Sequence, residues 1–252
     1  MALLNALSVV WVILINFLAN YLPIGGITTG EVSDSLPNLF APAGVTFAIW
    51  GLIYLLLAGF AVYLLFPGLL GRERNQELVR RVGFWFIAGN VFNSLWIFAW
   101  HNMQIGLSLL LIVAVFLTTA VVYLRLQSFS VQNLKERVFV QWPFRIYFGW
   151  LTVAVIANVF SFVAHVQWDG FGLPSAFWTA ALIAAAVIIG YWMLQRFQDI
   201  PYIAVLIWAL LGIIIKRVEA EPQVWSVVIT AAAGIVILAA AGARLYWQNQ
   251  ET

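Results

Sequence analysis

Eight apolar runs, each close to the length of a membrane-crossing helix, leave this chain little choice of fold. A hydrocarbon core of about 30 Å is crossed by roughly 20 residues at the rise of an α-helix. The runs fall at about 4–24, 42–66, 82–101, 104–126, 138–165, 174–195, 201–216 and 223–247. Runs of this length satisfy their backbone polar groups in hydrocarbon only as helices. The expected class is an all-α polytopic membrane protein with eight spans. The seventh run is short, so it crosses with little tilt, re-enters, or continues past Lys216. Composition agrees, with 64% hydrophobic and 9% charged residues, where a soluble domain carries about 25% charge. The first run lacks a basic leader and reaches Pro23 without a small-residue cleavage pattern, so it reads as a transmembrane helix rather than a removed signal.

Lysine and arginine set the expected orientation. With the N-terminus inside, Arg72, Arg74, Arg80, Arg81, Arg125, Lys135, Arg137, Arg196 and Arg244 fall on the inner side, and only Lys216 and Arg217 on the outer. Both termini are therefore expected inside, and the location a bacterial cell membrane. No block of like charge suggests a nucleic-acid partner. Cysteine is absent, which excludes disulfides, thiolate catalysis and cysteine-ligated metals.

All ten acids map to loops or helix ends. That pattern argues against a proton relay and against paired-carboxylate chemistry. Neutral polar residues carry more information. In the expected orientation Asn16, Asn20 and Tyr21 lie in the outer half of span one, and Thr46, Trp50 and Tyr54 in that of span two. Asn90, Asn93, Trp96 and Trp100 run from the middle to the outer end of span three, and Thr152, Asn158 and Ser161 lie in span five. Helical spacing sorts them into faces: Asn16 and Asn20, Trp50 and Tyr54, the steps Asn90, Asn93, Trp96 and Trp100, and the stripe Trp150, Ala154, Asn158. Amides facing lipid without partners cost several kcal/mol, on the order of 2–7, so these faces are expected to converge on a bundle interior or a pocket. The plainer alternative is interhelical hydrogen bonding alone. Trp11, Trp85, Trp168, Trp178, Trp225 and Trp247 read as interface or packing residues.

Ala176, Ala180 and Ala184, and Ala231, Ala239 and Ala243, form small-residue stripes. Such stripes suit close packing of spans six to eight, with a homodimer interface as the alternative. Arg145 is the one charge well inside a span, and is expected to snorkel to the headgroups or to contact an anion or lipid phosphate. His101 and His165 lie near the outer surface without the further ligands a metal site requires.

Three stretches resemble the TspO/MBR family of tryptophan-rich sensory and translocator proteins. In PAGVTFAIWGLIYLLLAG, Pro42, Trp50 and Tyr54 match the family's second helix. In FNSLWIF, Asn93 and Trp96 match an N-x-x-W element. In WPFRIYFGWLT, Pro143, Phe144 and Thr152 match the fifth helix. The resemblance covers about residues 1–165. It departs within GVTFAI, at Tyr147, where tryptophan is common, and at Arg145, where an apolar residue is expected. It implies a TspO-like five-helix bundle over 1–165, with residues 166–252 as an additional three-helix region. It also implies a pocket beneath the loop joining the first two spans, here residues 25–41, whose Gly25, Gly26 and Gly30 would let it move. The implied ligand is a flat hydrophobic molecule such as a porphyrin, haem or sterol, with protoporphyrin IX or haem as the tetrapyrrole candidates and no cofactor required. The ligand-binding set drawn from both lines of argument is Asn16, Asn20, Trp50, Tyr54, Asn90, Asn93, Trp96, Trp100, Tyr147, Trp150 and Asn158. The rival readings are a transporter of a small amphipathic molecule and, because tryptophan photochemistry needs no acid, base or metal, light-dependent porphyrin breakdown.

Overall fold

The computed structural model describes residues 1–22 and 24–248, so Pro23 lies outside the described residues. Eight helices in it are long and apolar enough to cross a membrane. They are α1 (Ala2–Tyr21), α3 (Gly44–Leu65), α4 (Arg72–His101), α5 (Ile105–Gln127), α6 (Leu134–His165), α7 (Ser175–Phe197), α8 (Ile200–Glu219) and α9 (Trp225–Gln248). A ninth and short helix, α2 (Thr29–Asp34), lies in the loop after α1. The short seventh run becomes a helix of 20 residues, because α8 continues through Lys216 and Arg217 to Glu219.

Local chemistry explains the ends and breaks. Asp199 caps α8 by accepting from the Tyr202 N–H at 3.0 Å, with Pro201 in the first turn, where a missing N–H costs nothing. Asn75 donates to the Tyr63 and Leu64 carbonyls, satisfying the last turn of α3. Within α4, Gly83 has φ +51°, a left-handed conformation that glycine adopts without penalty, and it separates the polar first three turns from the apolar remainder. The expected span began at residue 82, next to this break. In α6 the helix starts about two turns before Pro143. A π turn over Arg137–Gln141 precedes the proline, which cannot donate to the Phe139 carbonyl.

Helices α1, α3, α4, α5 and α6 pack as one bundle. Phe60, Phe86 and Phe144 meet edge to face inside it, with centroids 4.9 to 5.5 Å apart. Helix α8 joins the last three helices to this bundle along two lines. Gly149 of α6 lies against Tyr202 and Val205, while Gly212 of α8 lies against Pro42 and Thr46. Hydrogen bonds run beside both contacts: Thr152 to the Tyr202 hydroxyl at 2.7 Å, Trp208 Nε1 to the Thr46 carbonyl at 3.0 Å, and Ala43 N–H to the Gly212 carbonyl at 3.0 Å. Thr152 therefore faces α8 rather than the outer polar cluster.

The alanine stripes are used only in part for packing the last three helices. Ala184, Ala239 and Ala243 are exposed, and α7 packs through Thr179, Ile183, Val187 and Gly190 instead. Helix α9 uses Val227, Ala231, Gly234 and Leu238. Gly190 meets Leu206 and Leu238, and Gly234 meets Val187 and Leu210, so glycine rather than alanine sets the approach of these three helices.

Two acids at helix ends are fully enclosed. Glu136 accepts from both terminal nitrogens of Arg74, at 3.0 and 2.8 Å, and from the Gln132 N–H. Asp199 accepts from Tyr123 at 2.7 Å and lies 3.8 Å from Arg145 Nε. Arg145 thus pairs with a buried carboxylate, the compensation that an enclosed charge demands. Replacing Gly149 with Val should push α8 off α6 and cost about 1–3 kcal/mol. Thermal unfolding in detergent will show a lowered midpoint, while Gly68→Ala, at a site open to solvent, should stay within about 0.5 kcal/mol of the parent.

Candidate functional site

The amides expected to converge do so through one residue. Asn93 of α4 is fully buried. Its oxygen accepts from Asn16 Nδ2 at 2.8 Å, and its nitrogen donates to the Tyr147 hydroxyl at 2.8 Å. Helices α1, α4 and α6 are thereby pinned at one level. Above this node, Asn158 accepts from Ser108 of α5 at 2.9 Å and from Trp96 Nε1 at 3.4 Å. Asn20 donates to the Asn16 carbonyl and accepts from the Thr29 N–H, which links α1 to α2.

Aromatic rings form a column beside these amides. Trp50 stacks on Tyr54 with centroids 5.6 Å apart, tilts against Trp96 at 5.9 Å, and meets Tyr147 and Trp150 edge-on. Trp96 in turn stacks on Trp100 at 6.1 Å. Trp50 separates two spaces. On one side is a cavity of about 690 Å³ between α1, α2 and α3, lined among others by Asn16, Phe17, Asn20, Phe47, Trp50 and Tyr54. On the other is a void of about 30 Å³ walled by Trp50, Trp96, Trp100, Trp150 and Asn158. The larger space falls within the range of small-molecule sites, whereas the smaller holds about one water.

The expected residues thus divide by position. Asn16, Asn20, Trp50 and Tyr54 line the larger cavity. Trp96, Trp100, Trp150 and Asn158 surround the void. Asn93 and Tyr147 stand behind, holding the walls. Asn90 lies apart, donating to Ser8 Oγ at 2.9 Å and tying α4 to α1. Trp11, Trp85, Trp168, Trp225 and Trp247 point outward and are exposed, in contrast to the buried Trp96, Trp100 and Trp150.

The loop over the cavity is ordered by a capping box at α2. The Glu31 carboxylate accepts from the Thr28 N–H at 2.6 Å, while the Thr28 hydroxyl accepts from the Glu31 N–H. That backbone N–H holds the Glu31 carboxyl below the usual carboxylate range, so it stays charged at the cavity mouth. Trp100 Nε1 donates to the Thr29 carbonyl at 3.1 Å. His101 is bonded to the Thr29 hydroxyl at 3.0 Å and the Ile24 carbonyl at 3.1 Å. Farther along, Asn38 donates to the Ala157 carbonyl and Ser161, and Asp34 pairs with Lys216 at the end of α8. Thr29, Ser108 and Asn38 escaped the sequence reading, and His101, read only as a residue near the outer surface, is buried against α2. His101 alone carried a signal, as an ionisable residue one step after Trp100.

Residues 2–243 match the family model described as TSPO-like protein. The chain belongs to the TSPO-like family. The match continues through α7, α8 and most of α9, beyond the point near residue 165 where the motif resemblance ends, so the family description takes in all eight spanning helices. No curated protein and no solved structure matches the chain. Family and helices together make this TSPO-like chain an integral, multi-pass membrane protein. Replacing His101 with Phe should release α2 from α4: amide hydrogen exchange across residues 28–35 should accelerate, and that of residues 90–100 should not.

Proposed function

We propose that this TSPO-like protein binds a flat, hydrophobic small molecule in the cavity beneath α2 and serves as a ligand-sensing or translocator-like membrane protein. The observation that carries the reading is the buried Tyr54 hydroxyl, which lines this cavity and has no hydrogen-bond partner among the described residues; the Trp150 indole N–H, equally unpartnered among them, faces the small void behind Trp50. Leaving such a group unpaired costs about 1–3 kcal/mol, which an acceptor on a ligand recovers. The stacked rings of Trp50 and Tyr54 supply a flat apolar face beside that hydroxyl. The lysine and arginine distribution supports placing this cavity in the outer half of the membrane, with both termini inside.

Charge at the mouth bears on the ligand. The acids there are Glu31 and Asp34, of which Asp34 is paired with Lys216. A porphyrin brings its propionates toward Glu31, whereas a sterol brings no charge, so a neutral ring system is the better fit. Purified protein in detergent should be titrated with protoporphyrin IX, haem and a sterol, following tryptophan fluorescence. Saturable binding is expected, weakened about fivefold by Tyr54→Phe and more strongly by Trp50→Ala. Unchanged affinity in both variants would exclude this cavity. Glu31→Gln keeps the capping box and removes the charge. It should raise porphyrin affinity about two- to fivefold at low salt and leave sterol affinity alone.

A further inference from the structure

A second large space lies at the end opposite α2. Helices α3 and α8 touch where Gly212 meets Thr46 and Trp208 donates to the Thr46 carbonyl, then diverge. A cleft of about 1000 Å³ opens between them, floored by α6. Its wall is apolar along Leu52, Ile146, Ala204 and Trp208, and its far end carries Arg137, Gln141, Arg145 and Gln198.

The start of α8, a helix of spanning length, lies at that polar end, which puts it near a membrane boundary. Arg145 is level with Asp199, which precedes the first turn of α8, so the 32-residue α6 extends past the bilayer on this side. From Gln198 to Trp208 the wall runs about 15 Å, half of a 30 Å hydrocarbon core. The cleft is therefore one leaflet deep.

Its positive charge is only partly paired. Among the described residues Arg137 makes no ion pair. Arg145 meets one acid, Asp199, through Nε at 3.8 Å, and Asp199 is already engaged by Tyr123 and the Tyr202 N–H. The terminal guanidinium nitrogens of Arg145 have no hydrogen-bond partner among the described residues. Arg137 opens the π turn Arg137–Gln141, where the helix surface is widened, and Arg145 lies one turn beyond its end.

We propose that this cleft binds one anionic phospholipid, its phosphate held between Arg137 and Arg145 and one acyl chain lying along Leu52, Ala204 and Trp208. Guanidinium groups pair with phosphate oxygens in fork geometry, and the apolar wall matches the chain that follows. The site shares no lining residue with the cavity beneath α2.

Delipidated full-length protein in an uncharged detergent should be mixed with phosphatidylglycerol or phosphatidylcholine of equal chain length and weighed by native mass spectrometry. Inorganic phosphate is run alongside. One phosphatidylglycerol should be retained at least about fivefold better than phosphatidylcholine, and Arg137→Gln should remove most of that preference. Ala204→Trp fills the apolar wall without altering charge and should abolish retention while the melting temperature holds. Arg145→Gln strips Asp199 of its counter-charge and is avoided. Tyr54→Phe should retain the lipid in full, separating this site from the one under α2. Equal retention of the two lipids by the parent protein, or undiminished phosphatidylglycerol on Ala204→Trp, would overturn the site. Stabilisation by phosphate alone matching that by phosphatidylglycerol would overturn a lipid as its occupant.

Discussion

The Asn93 amide organises the end of this molecule that carries α2. In water a single such group contributes little, because solvent competes for both its donor and its acceptor. Enclosed among apolar helices it has no such option, and its two ends select one partner each, Asn16 on α1 and Tyr147 on α6. Those choices fix the rotation of three helices. The indoles of Trp96 and Trp100 then turn toward Trp50, and the aromatic column that divides the cavity from the small void follows.

Number and placement of the spanning helices were legible because hydrocarbon enforces a length and a composition that few other environments do. The seventh run looked short only because Lys216 and Arg217 interrupt its apolar pattern, whereas the last turn of a spanning helix tolerates both. Convergence of Asn16, Asn93, Trp50 and Trp96 was also legible, since helical spacing places such residues on faces and amides avoid lipid. What spacing cannot show is the partner of each face. Asn90 shares its stripe with Asn93 yet finds Ser8, and Thr152 turns to Tyr202 on a helix fifty residues away. The alanine stripes were legible only in part for a related reason: of their residues only Ala231 is fully buried, and single glycines facing large side chains set the closest approach, as Gly190 faces Leu206 and Leu238.

Burial of Asp199 and Glu136 shows the same limit from the side of charge. Both stand at helix ends, where a sequence reading assigns them to water. Tertiary packing encloses each one, and each is matched by an arginine brought from another helix. Arg74 and Glu136 bond each other through both guanidinium nitrogens, whereas Arg137 and Arg145 line an open cleft. That difference separates a structural ion pair from a surface with unused binding capacity.

Helix α8 touches both ends of the molecule. Near its C-terminus Lys216 holds Asp34 of α2, and at its N-terminus Asp199 meets Arg145. A stiff rod anchored in this way transmits displacement better than a loop does. If occupancy beneath α2 changes where that rod rests, occupancy of the cleft at its other end changes by the same factor, and the converse holds equally, because linkage has no preferred direction. The membrane's own lipid composition then becomes an input to the protein alongside whatever lies under α2.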